Sequence, residues 1–349
     1  MEVFVIMKAG VLNKLKTAFW ICLFSCFAGV VFQLLREERL DYHSVLIGLP
    51  LGLGFVLLEL FIYPKMEGRG RRWSFTHMLL LKVTIYTIII NLVTGGLAIV
   101  AGMIECKDFA HLAPFTLSTG QLLLILYSLV IYSILIFFLQ VNHLLGTGVL
   151  WKFIRGKYHR PREEERIFMF LDMRSSTSIA EQLGHVRFYT LLNEIFHEIA
   201  EPVLQTKAEI YQYIGDEVVL TWEMKDGLRD ANCLKLFFLF RDRLARKAEK
   251  YFNKYGVRPS FKAGMHTGRV VSAQIGDLKR EIVYNGDVLN TAARIQNECN
   301  KYQVDCLISG NLANQLMDLR GYCLERLETV TLRGKENTVE LFSVVNARV

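Results

Sequence analysis

Two aspartates stand at the ends of apolar runs, one in the stretch FMFLDMRSST (168–177) and one in YQYIGDEVVL (211–220). The first run has the length and composition of a buried strand and stops at Asp172. The second run meets a Gly-Asp turn at Asp216 and then continues, which predicts a β-hairpin. Two carboxylates held at strand ends, beside backbone carbonyl groups, can bind Mg²⁺ against a phosphate chain. The sequence therefore indicates a site for Mg²⁺ and phosphate.

The elements that must position these aspartates follow from the pattern of the second half of the chain. The predicted strands cover 167–171, 209–214, 218–222, 260–265, 270–275, 306–308, 323–331 and 338–345. The predicted helices cover about 175–183, 186–206 and 229–253, and another begins near residue 287. The Ser-Ser-Thr that follows Asp172 is typical of a helix N-cap. This order predicts an antiparallel sheet covered by helices, an α+β domain of ferredoxin-like kind.

The first 150 residues carry nearly all of the long apolar runs. Four segments have the roughly 20 residues that a helix needs to span a bilayer, namely 17–35, 42–63, 77–103 and 119–141. Basic residues precede the first segment, separate the second from the third, and follow the fourth. Because basic residues stay on the cytoplasmic side, we expect a multi-pass protein of the cell inner (plasma) membrane, in contact with lipid and with both termini cytoplasmic.

Three parts of the chain are therefore expected. They are a four-helix, all-α transmembrane domain (1–141), a cytoplasmic linker (142–164) and the α+β domain (165–349). The linker is either a signalling helix or a plain basic flank of the membrane anchor, and both interpretations stay open. Glu59 and Lys82 lie toward the cytoplasmic ends of their helices, where they would either pair or snorkel to the interface. The favoured interpretation is snorkelling.

The net charge of +7 partly reflects the basic flanks of the apolar segments, so it indicates membrane orientation before nucleic acid binding. No DNA- or RNA-binding pattern stands out, and we expect no nucleic acid partner. The seven cysteines follow no metal-ligand spacing. They are expected to be reduced, structural thiols.

Five motifs of the second half, in this order, resemble those of the class III nucleotidyl cyclases, the adenylyl and guanylyl cyclases. The motifs are FLDMRSST (170–177), YIGDEV (213–218), KAGMHTGRV (262–270), GDVLNTAAR (286–294) and LRGKENTVELF (332–342). The resemblance covers about residues 165–347 and implies a class III cyclase catalytic domain in that part of the chain.

The resemblance also implies roles for single residues. Asp172 and Asp216 match the family's metal ligands and would bind two Mg²⁺ (or Mn²⁺) ions. The backbone carbonyl of Met173 would add a ligand, and Thr177 closes the first motif. Lys335 matches a lysine that contacts phosphate.

Asn290 and Arg294 match the family's transition-state motif. They are four residues apart, so they share one face of a helix. There the amide can orient the ribose while the guanidinium stabilises charge on the transferring phosphate. In the family these two residues come from the partner subunit, so the resemblance implies a head-to-tail homodimer with two sites.

Purine choice in the family depends on two further positions, which Gln212 and Val283 occupy here. Adenylyl cyclases usually place a lysine and an Asp or Thr there, whereas guanylyl cyclases place Glu and Cys. Neither pair is present, and the absence of Glu and Cys favours ATP. The expected function is therefore that of a membrane-bound adenylate cyclase, which converts ATP to 3′,5′-cyclic AMP and pyrophosphate by two-metal phosphoryl transfer at a homodimer interface. The alternatives are a guanylate cyclase and a non-catalytic, cyclase-like module that only binds nucleotide.

Overall fold

The computed structural model of the chain describes residues 2–37, 43–63, 75–104, 119–146, 149–317, 319, 321–331 and 338–347. The chain folds into two compact units, residues 1–144 and 145–349. Lys335 lies outside the described residues.

The first unit consists of helices in the part of it that the structure describes. They are α1 (Glu2–Glu37), α2 (His43–Val56), which continues as a π-helical turn over Leu57–Ile62, α3 (Phe75–Ile104) and α4 (Thr119–Leu145). Two segments, Lys14–Leu35 and Leu122–Asn142, are long and apolar enough to cross a membrane by length and composition, while Gly48–Ile62 and Leu80–Gly96 are shorter apolar segments.

The centre of the first unit is an aromatic stack. The rings of Phe55 and Tyr86 lie 5.2 Å apart, and those of Phe55 and Tyr132 lie 5.0 Å apart, each pair nearly parallel. All three side chains are buried. Because the three rings come from α2, α3 and α4, their contact joins these helices around one core.

Glu59 and Lys82 form an ion pair beside this stack. The Lys82 ammonium donates to both carboxylate oxygens of Glu59 at 3.0 and 3.1 Å, and the Tyr86 hydroxyl donates to Oε1 at 2.6 Å. The side chains of Lys82 and Glu59 are only 9% and 12% exposed. The interpretation that these residues snorkel separately to the interface is therefore wrong. Pairing offsets part of the free energy that is lost when a carboxylate and an ammonium are removed from water.

The second unit contains eight helices and eight strands among its described residues. Its helices are α5 (Val149–Ile154), α6 (Ser176–Leu183), α7 (His185–Thr206), α8 (Met224–Leu228), α9 (Asn232–Arg246), α10 (Ala248–Tyr255), α11 (Asp287–Tyr302) and α12 (Gly310–Ala313), with a 3₁₀ turn over Arg229–Ala231. Its strands are β1 (Arg162–Met173), β2 (Glu209–Ile214), β3 (Glu217–Glu223), β4 (Phe261–Ile275), β5 (Glu281–Asn285), β6 (Cys306–Ser309), β7 (Tyr322–Thr331) and β8 (Thr338–Asn346).

The strands form one sheet in the order β2-β3-β1-β4-β6-β8-β7, with β5 paired to β4. The sheet is mixed where the sequence predicted an antiparallel one, because β4 and β6 run parallel. The chain passes through α11 between these two strands, and such a crossover returns the chain in the same direction. Every other pair of described strands is antiparallel.

Both faces of the central strand β1 are covered. Alternate residues such as Met169 pack into the larger core with α7 and α9, whereas Phe168 and Phe170 pack against α11 on the opposite face. A strand buried on both faces needs an uninterrupted apolar run, since successive side chains point to opposite sides. The predicted buried strand is therefore confirmed, although it extends beyond 167–171.

Two predicted boundaries are wrong. The strands expected at 260–265 and 270–275 are one continuous strand, β4, because His266, Thr267 and Gly268 stay in register with β1. The helix expected over 229–253 is divided into a 3₁₀ turn, α9 and α10. Ser175 occupies the N-cap position of α6, as predicted, but its backbone is left-handed, at φ 56°, and its side chain makes no capping hydrogen bond.

Residues 149–157 of the predicted linker pack on the sheet through an ionic cluster. Lys152, on α5, donates to Glu209 Oε1 at 2.6 Å and to Glu223 Oε1 at 2.9 Å. Arg166 belongs to the same cluster and is fully buried. It donates to Glu209 Oε2 at 2.8 Å, and its guanidinium lies over the ring of Tyr284. The cluster is completed by Lys157, 2.9 Å from Glu164. Lys152 therefore joins α5 to β2 and β3, and Lys157, which follows α5, joins the same segment to β1.

Candidate active site

The two aspartates lie at the same end of neighbouring strands, where the sequence predicts strand ends. We call this end of the sheet the acidic edge. Asp172 is the penultimate residue of β1, and Asp216 lies in the turn between β2 and β3. Gly215 precedes Asp216 with φ +63°, a left-handed conformation that suits glycine and turns the chain tightly there. In the sheet register Asp172 stands opposite Glu217 on β3 and Lys262 on β4.

The carboxyl groups of this edge repel one another. Burial and then the neighbouring Asp216 raise the pKa of Asp172, while Lys262 lowers it. Burial and the charges of Asp172 and Asp216 raise the pKa of Glu217 to about 7. The Lys262 ammonium lies 3.4 Å from Asp172 Oδ2 and compensates part of this negative charge. The edge therefore favours the binding of further positive charge.

The donor set at this edge fits Mg²⁺ or Mn²⁺. Asp216 Oδ2 is buried and has no hydrogen-bond partner among the described residues. Buried carboxylate oxygens are normally satisfied, so an oxygen of this kind is suited to bind a cation. No described group of three or more His, Cys, Asp or Glu side chains has the arrangement of a metal site. A pair of aspartates is nevertheless sufficient for Mg²⁺ when substrate phosphates supply further oxygens.

A cleft of about 750 Å³ adjoins Asp216. Residues of α7, including Phe188, Tyr189 and Phe196, line one side, and Tyr213 and Gly215 line the other. Clefts of roughly 300–1,000 Å³ are typical for small-molecule ligands.

Helix α11 carries Asn290, which is exposed, and Arg294, which is half-buried. None of the described residues forms an ion pair with Arg294. Gln296, two residues further along, is buried and donates from Nε2 to Asp172 Oδ2 at 2.9 Å. Residues two apart on an α-helix point about 200° away from each other. Since Gln296 faces Asp172 of its own chain, Arg294 leaves the helix on nearly the opposite side. The structure therefore does not bring Arg294 to the aspartates of the same chain.

The remaining predicted residues lie around this edge and along two strands. Met173 ends β1 with a buried side chain, and Thr177 is an exposed residue in the first turn of α6. Gln212 is exposed on β2, where it stands opposite Val219. Val283 is half-buried on β5.

Three residues of the edge were missed by the sequence reasoning. Glu217 directly follows Asp216, and Lys262 opens a motif that was noted as a whole. Their positions opposite Asp172 depend on strand register, which the motifs alone do not specify. Gln296 is a polar residue on the buried face of α11, beside Ala292 and Ile295, and this interruption of the apolar pattern is the signal that could have found it.

Comparison with known proteins identifies the second unit. The family model described as the adenylate and guanylate cyclase catalytic domain matches residues 159–345. Adenylate cyclase 2 of Rhizobium meliloti is 34% identical over 241 residues, which are 68% of this chain and 65% of that protein. An adenylate cyclase of Anabaena cylindrica is 24% identical over 50% of this chain and 36% of its own length. The chain thus spans less than two thirds of these curated relatives.

The fold agrees with this match. A bacterial light-regulated adenylyl cyclase of known structure superimposes with a TM-score of 0.53 at 17% identity, over 62% of this chain and 64% of that one. The family that the five motifs indicated is therefore confirmed. This chain belongs to the family of adenylate and guanylate cyclase catalytic domains.

Proposed function

We propose that the protein is a membrane-bound adenylate cyclase that converts ATP to 3′,5′-cyclic AMP and pyrophosphate in a homodimer. The observation that carries the proposal is the acidic edge, where Asp172 and Asp216 converge and one buried carboxylate oxygen has no hydrogen-bond partner among the described residues. The matched curated relatives named above are adenylate cyclases, which supports ATP as the substrate.

The reaction needs little covalent chemistry from the protein. The ribose 3′-oxygen forms a bond to the α-phosphorus, the bond from that phosphorus to the bridging oxygen of pyrophosphate breaks, and the hydroxyl releases its proton to solvent water. Asp172 and Asp216 would hold two divalent cations, with the Met173 carbonyl as a further ligand. When bound, these cations lower the pKa of the attacking hydroxyl and neutralise the triphosphate.

Other residues of the chain would orient the nucleotide. Asn290 would hold the ribose through its amide, and Arg294 would stabilise negative charge on the α-phosphate. Lys335 would contact the leaving phosphates, and Thr177, in the first turn of α6, would lie beside them. Gln212 and Val283 would meet the purine. A glutamine offers both a donor and an acceptor, and a valine offers neither, so purine discrimination would be modest.

The site would be shared between two chains. Gln296 faces Asp172 of its own chain, so Arg294, on the other side of α11, would serve the aspartates of a second chain. A twofold head-to-tail arrangement then completes two sites with the same residues.

The first unit would anchor the enzyme in the inner membrane. Four spans with cytoplasmic termini, a linker over 142–164 and a catalytic domain over 165–349 remain our proposal for the whole chain. The two long apolar segments support it, and so do the two shorter ones between them in the sequence. Lipid would then surround the first unit.

Complementation between variants tests the shared site. Asp216→Ala and Arg294→Ala should each be inactive alone, and mixed dimers should regain about a quarter of wild-type activity, because half of randomly formed dimers contain one intact site of two. Cyclic AMP and cyclic GMP are measured after incubation with ATP or GTP and with Mg²⁺ or Mn²⁺.

The matched control mixes Asp172→Ala with Asp216→Ala. Both changes affect the same half of a site, so this mixture should stay inactive. Inactivity of the first mixture, with dimers shown by light scattering, contradicts the shared site. Product from GTP alone would identify a guanylate cyclase instead, and no product from the wild type would leave a nucleotide-binding module.

A further inference from the structure

Gln296 links helix α11 to the acidic edge. Its side chain is 2% exposed, and its amide donates to Asp172 Oδ2 at 2.9 Å across 124 residues of sequence. The five motifs assign it no role, because it lies just beyond the last residue of the fourth motif, Arg294. A fully buried amide that donates to a carboxylate must have its position determined by the fold.

Gly264 determines that position. A Cβ atom at Gly264 would lie 2.1 Å from the backbone nitrogen of Gln296, so any side chain there would push α11 off β4. In the sheet register Gly264 stands opposite Phe170, two residues before Asp172. The absence of a side chain at Gly264 therefore lets the backbone of α11 lie directly on the sheet beside Asp172 and brings the Gln296 amide within reach of the carboxylate.

The amide and the nearby lysine act on the same oxygen. Gln296 Nε2 donates to Asp172 Oδ2, and Lys262 Nζ lies 3.4 Å from that same atom. A carboxylate held through one oxygen presents its other oxygen in a defined direction. The amide differs from the lysine in one respect: it is neutral, so it orients the carboxylate without competing electrostatically with a bound cation.

We propose that Gln296 is a positioning residue, which holds the Asp172 carboxylate in the orientation that binds a divalent cation. The proposal rests on the proposed function for the identity of that cation's site. In the proposed dimer, α11 would then contact both active sites. Gln296 would support the site that contains its own Asp172, while Arg294 would serve the other one.

Direct binding of Mn²⁺ tests whether Gln296 positions the Asp172 carboxylate. Full-length protein is titrated with Mn²⁺ at a fixed concentration of 3′-deoxy-ATP, which lacks the attacking hydroxyl, and free Mn²⁺ is followed by electron paramagnetic resonance. Gln296→Met keeps the length of the side chain and loses the donor. We expect it to weaken Mn²⁺ binding by about 10-fold or more, the usual consequence of losing a hydrogen bond to a metal ligand.

The matched control is Asn297→Ala. Asn297 is an exposed neighbour of Gln296, and its amide donates to the Ala293 carbonyl of the same helix. This variant should bind Mn²⁺ as the wild type does. If Gln296→Met does not fold, the same titration is carried out on Gln296→Leu, whose side chain is also apolar but is branched. Unchanged Mn²⁺ binding in a folded Gln296 variant would overturn the proposal.

Mixed dimers test whether Gln296 supports the site that contains Asp172 of its own chain. A chain with Arg294→Ala supplies the intact aspartates, and a chain with Asp216→Ala supplies the intact Arg294. Gln296→Met in the first chain should raise the half-saturating Mg²⁺ concentration by about 10-fold or more, whereas in the second chain it should not change it. An equal rise in both placements would contradict the positioning role.

These outcomes separate the two proposals. If the unmodified mixed dimer is inactive, the shared site fails, yet the Mn²⁺ titration still decides the role of Gln296. If the mixed dimer is active and Gln296→Met binds Mn²⁺ as tightly as the wild type does, only the proposal for Gln296 is wrong.

Discussion

Three carboxyl groups at one sheet edge carry more negative charge than Lys262 can balance. Burial and mutual repulsion raise the pKa of both Asp172 and Glu217, which costs free energy in the absence of cations. Sites that bind substrates or metals commonly keep such unfavourable charge, because the ligand relieves it. Asp216 Oδ2, which has no hydrogen-bond partner among the described residues, belongs to the same pattern.

In the proposed function, two residues would contact the purine. Gln212 and Val283 lie on β2 and β5, and neither is the residue that adenylyl or guanylyl cyclases usually have. We predict that Gln212→Glu with Val283→Cys raises the ratio of kcat/KM for GTP over ATP by about 10-fold, the value of one or two added hydrogen bonds. Gln212→Lys with Val283→Asp should lower it.

Initial rates with both nucleotides check this prediction in the same protein preparation. Val219→Thr, a buried change opposite Gln212 in the register, serves as a control for nonspecific loss of activity, and it should leave the ratio unchanged. A ratio that stays constant in both double variants would show that other residues contact the purine.

At the scale of elements, ion pairs join the segment 149–157 to strands β1, β2 and β3. Lys152 and Lys157 come from the segment that precedes the sheet, and their partners stand at the ends of the strands away from Asp172 and Asp216. The functional interpretation of the linker, a signalling helix, gains a physical basis from this arrangement. Movement of α5 would act on the strands that carry both aspartates.

Acid should weaken this attachment in a defined range. Hydrogen bonding from Lys152 lowers the pKa of Glu223 from its ordinary value of 4.5 to about 2. A lowered pKa stabilises the fold above pH 4.5, and the contribution disappears as pH falls toward 2. We predict that Glu223→Gln destabilises the catalytic unit by about 1 kcal/mol at pH 7, since the pair is partly exposed, and much less at pH 3.

Urea unfolding of the full chain at the two pH values measures the difference. Glu181→Gln, an exposed carboxylate on α6, is the matched control and should have no effect at either pH. An equal loss from Glu223→Gln at pH 7 and pH 3 would contradict the charge-based explanation.

At the scale of the whole molecule, the proposed dimer and the proposed membrane anchor depend on each other. One chain does not bring Arg294 to its own aspartates, so the proposed activity would require a second chain. Confinement to a membrane raises the local concentration of chains and so favours their association. The buried ion pair of Glu59 and Lys82 would keep α2 and α3 in one register within that anchor.

Dilution should therefore reduce activity when the membrane is absent. We predict that the specific activity of the full chain in detergent falls steeply below the dimer dissociation constant, while protein in lipid vesicles retains its activity at the same bulk concentration. Light scattering on the detergent samples reports the oligomeric state. Constant specific activity in monomeric samples would exclude the shared site.

The sequence by itself determined the local elements and the family. Apolar runs predicted β1 and the β2–β3 hairpin, and helical spacing predicted α7 and the shared face of Asn290 and Arg294, because these features depend on residues close together in the chain. The two aspartates were found because each ends a strand.

Only the tertiary structure decided which distant side chains meet. Gln296 reaches Asp172 across 124 residues, and Lys152 reaches Glu223 across 71. Sheet register placed Glu217 and Lys262 beside Asp172 and merged two predicted strands into β4. Such contacts depend on the packing of whole elements, since periodicity specifies the face of a helix or strand but not the neighbour that covers it.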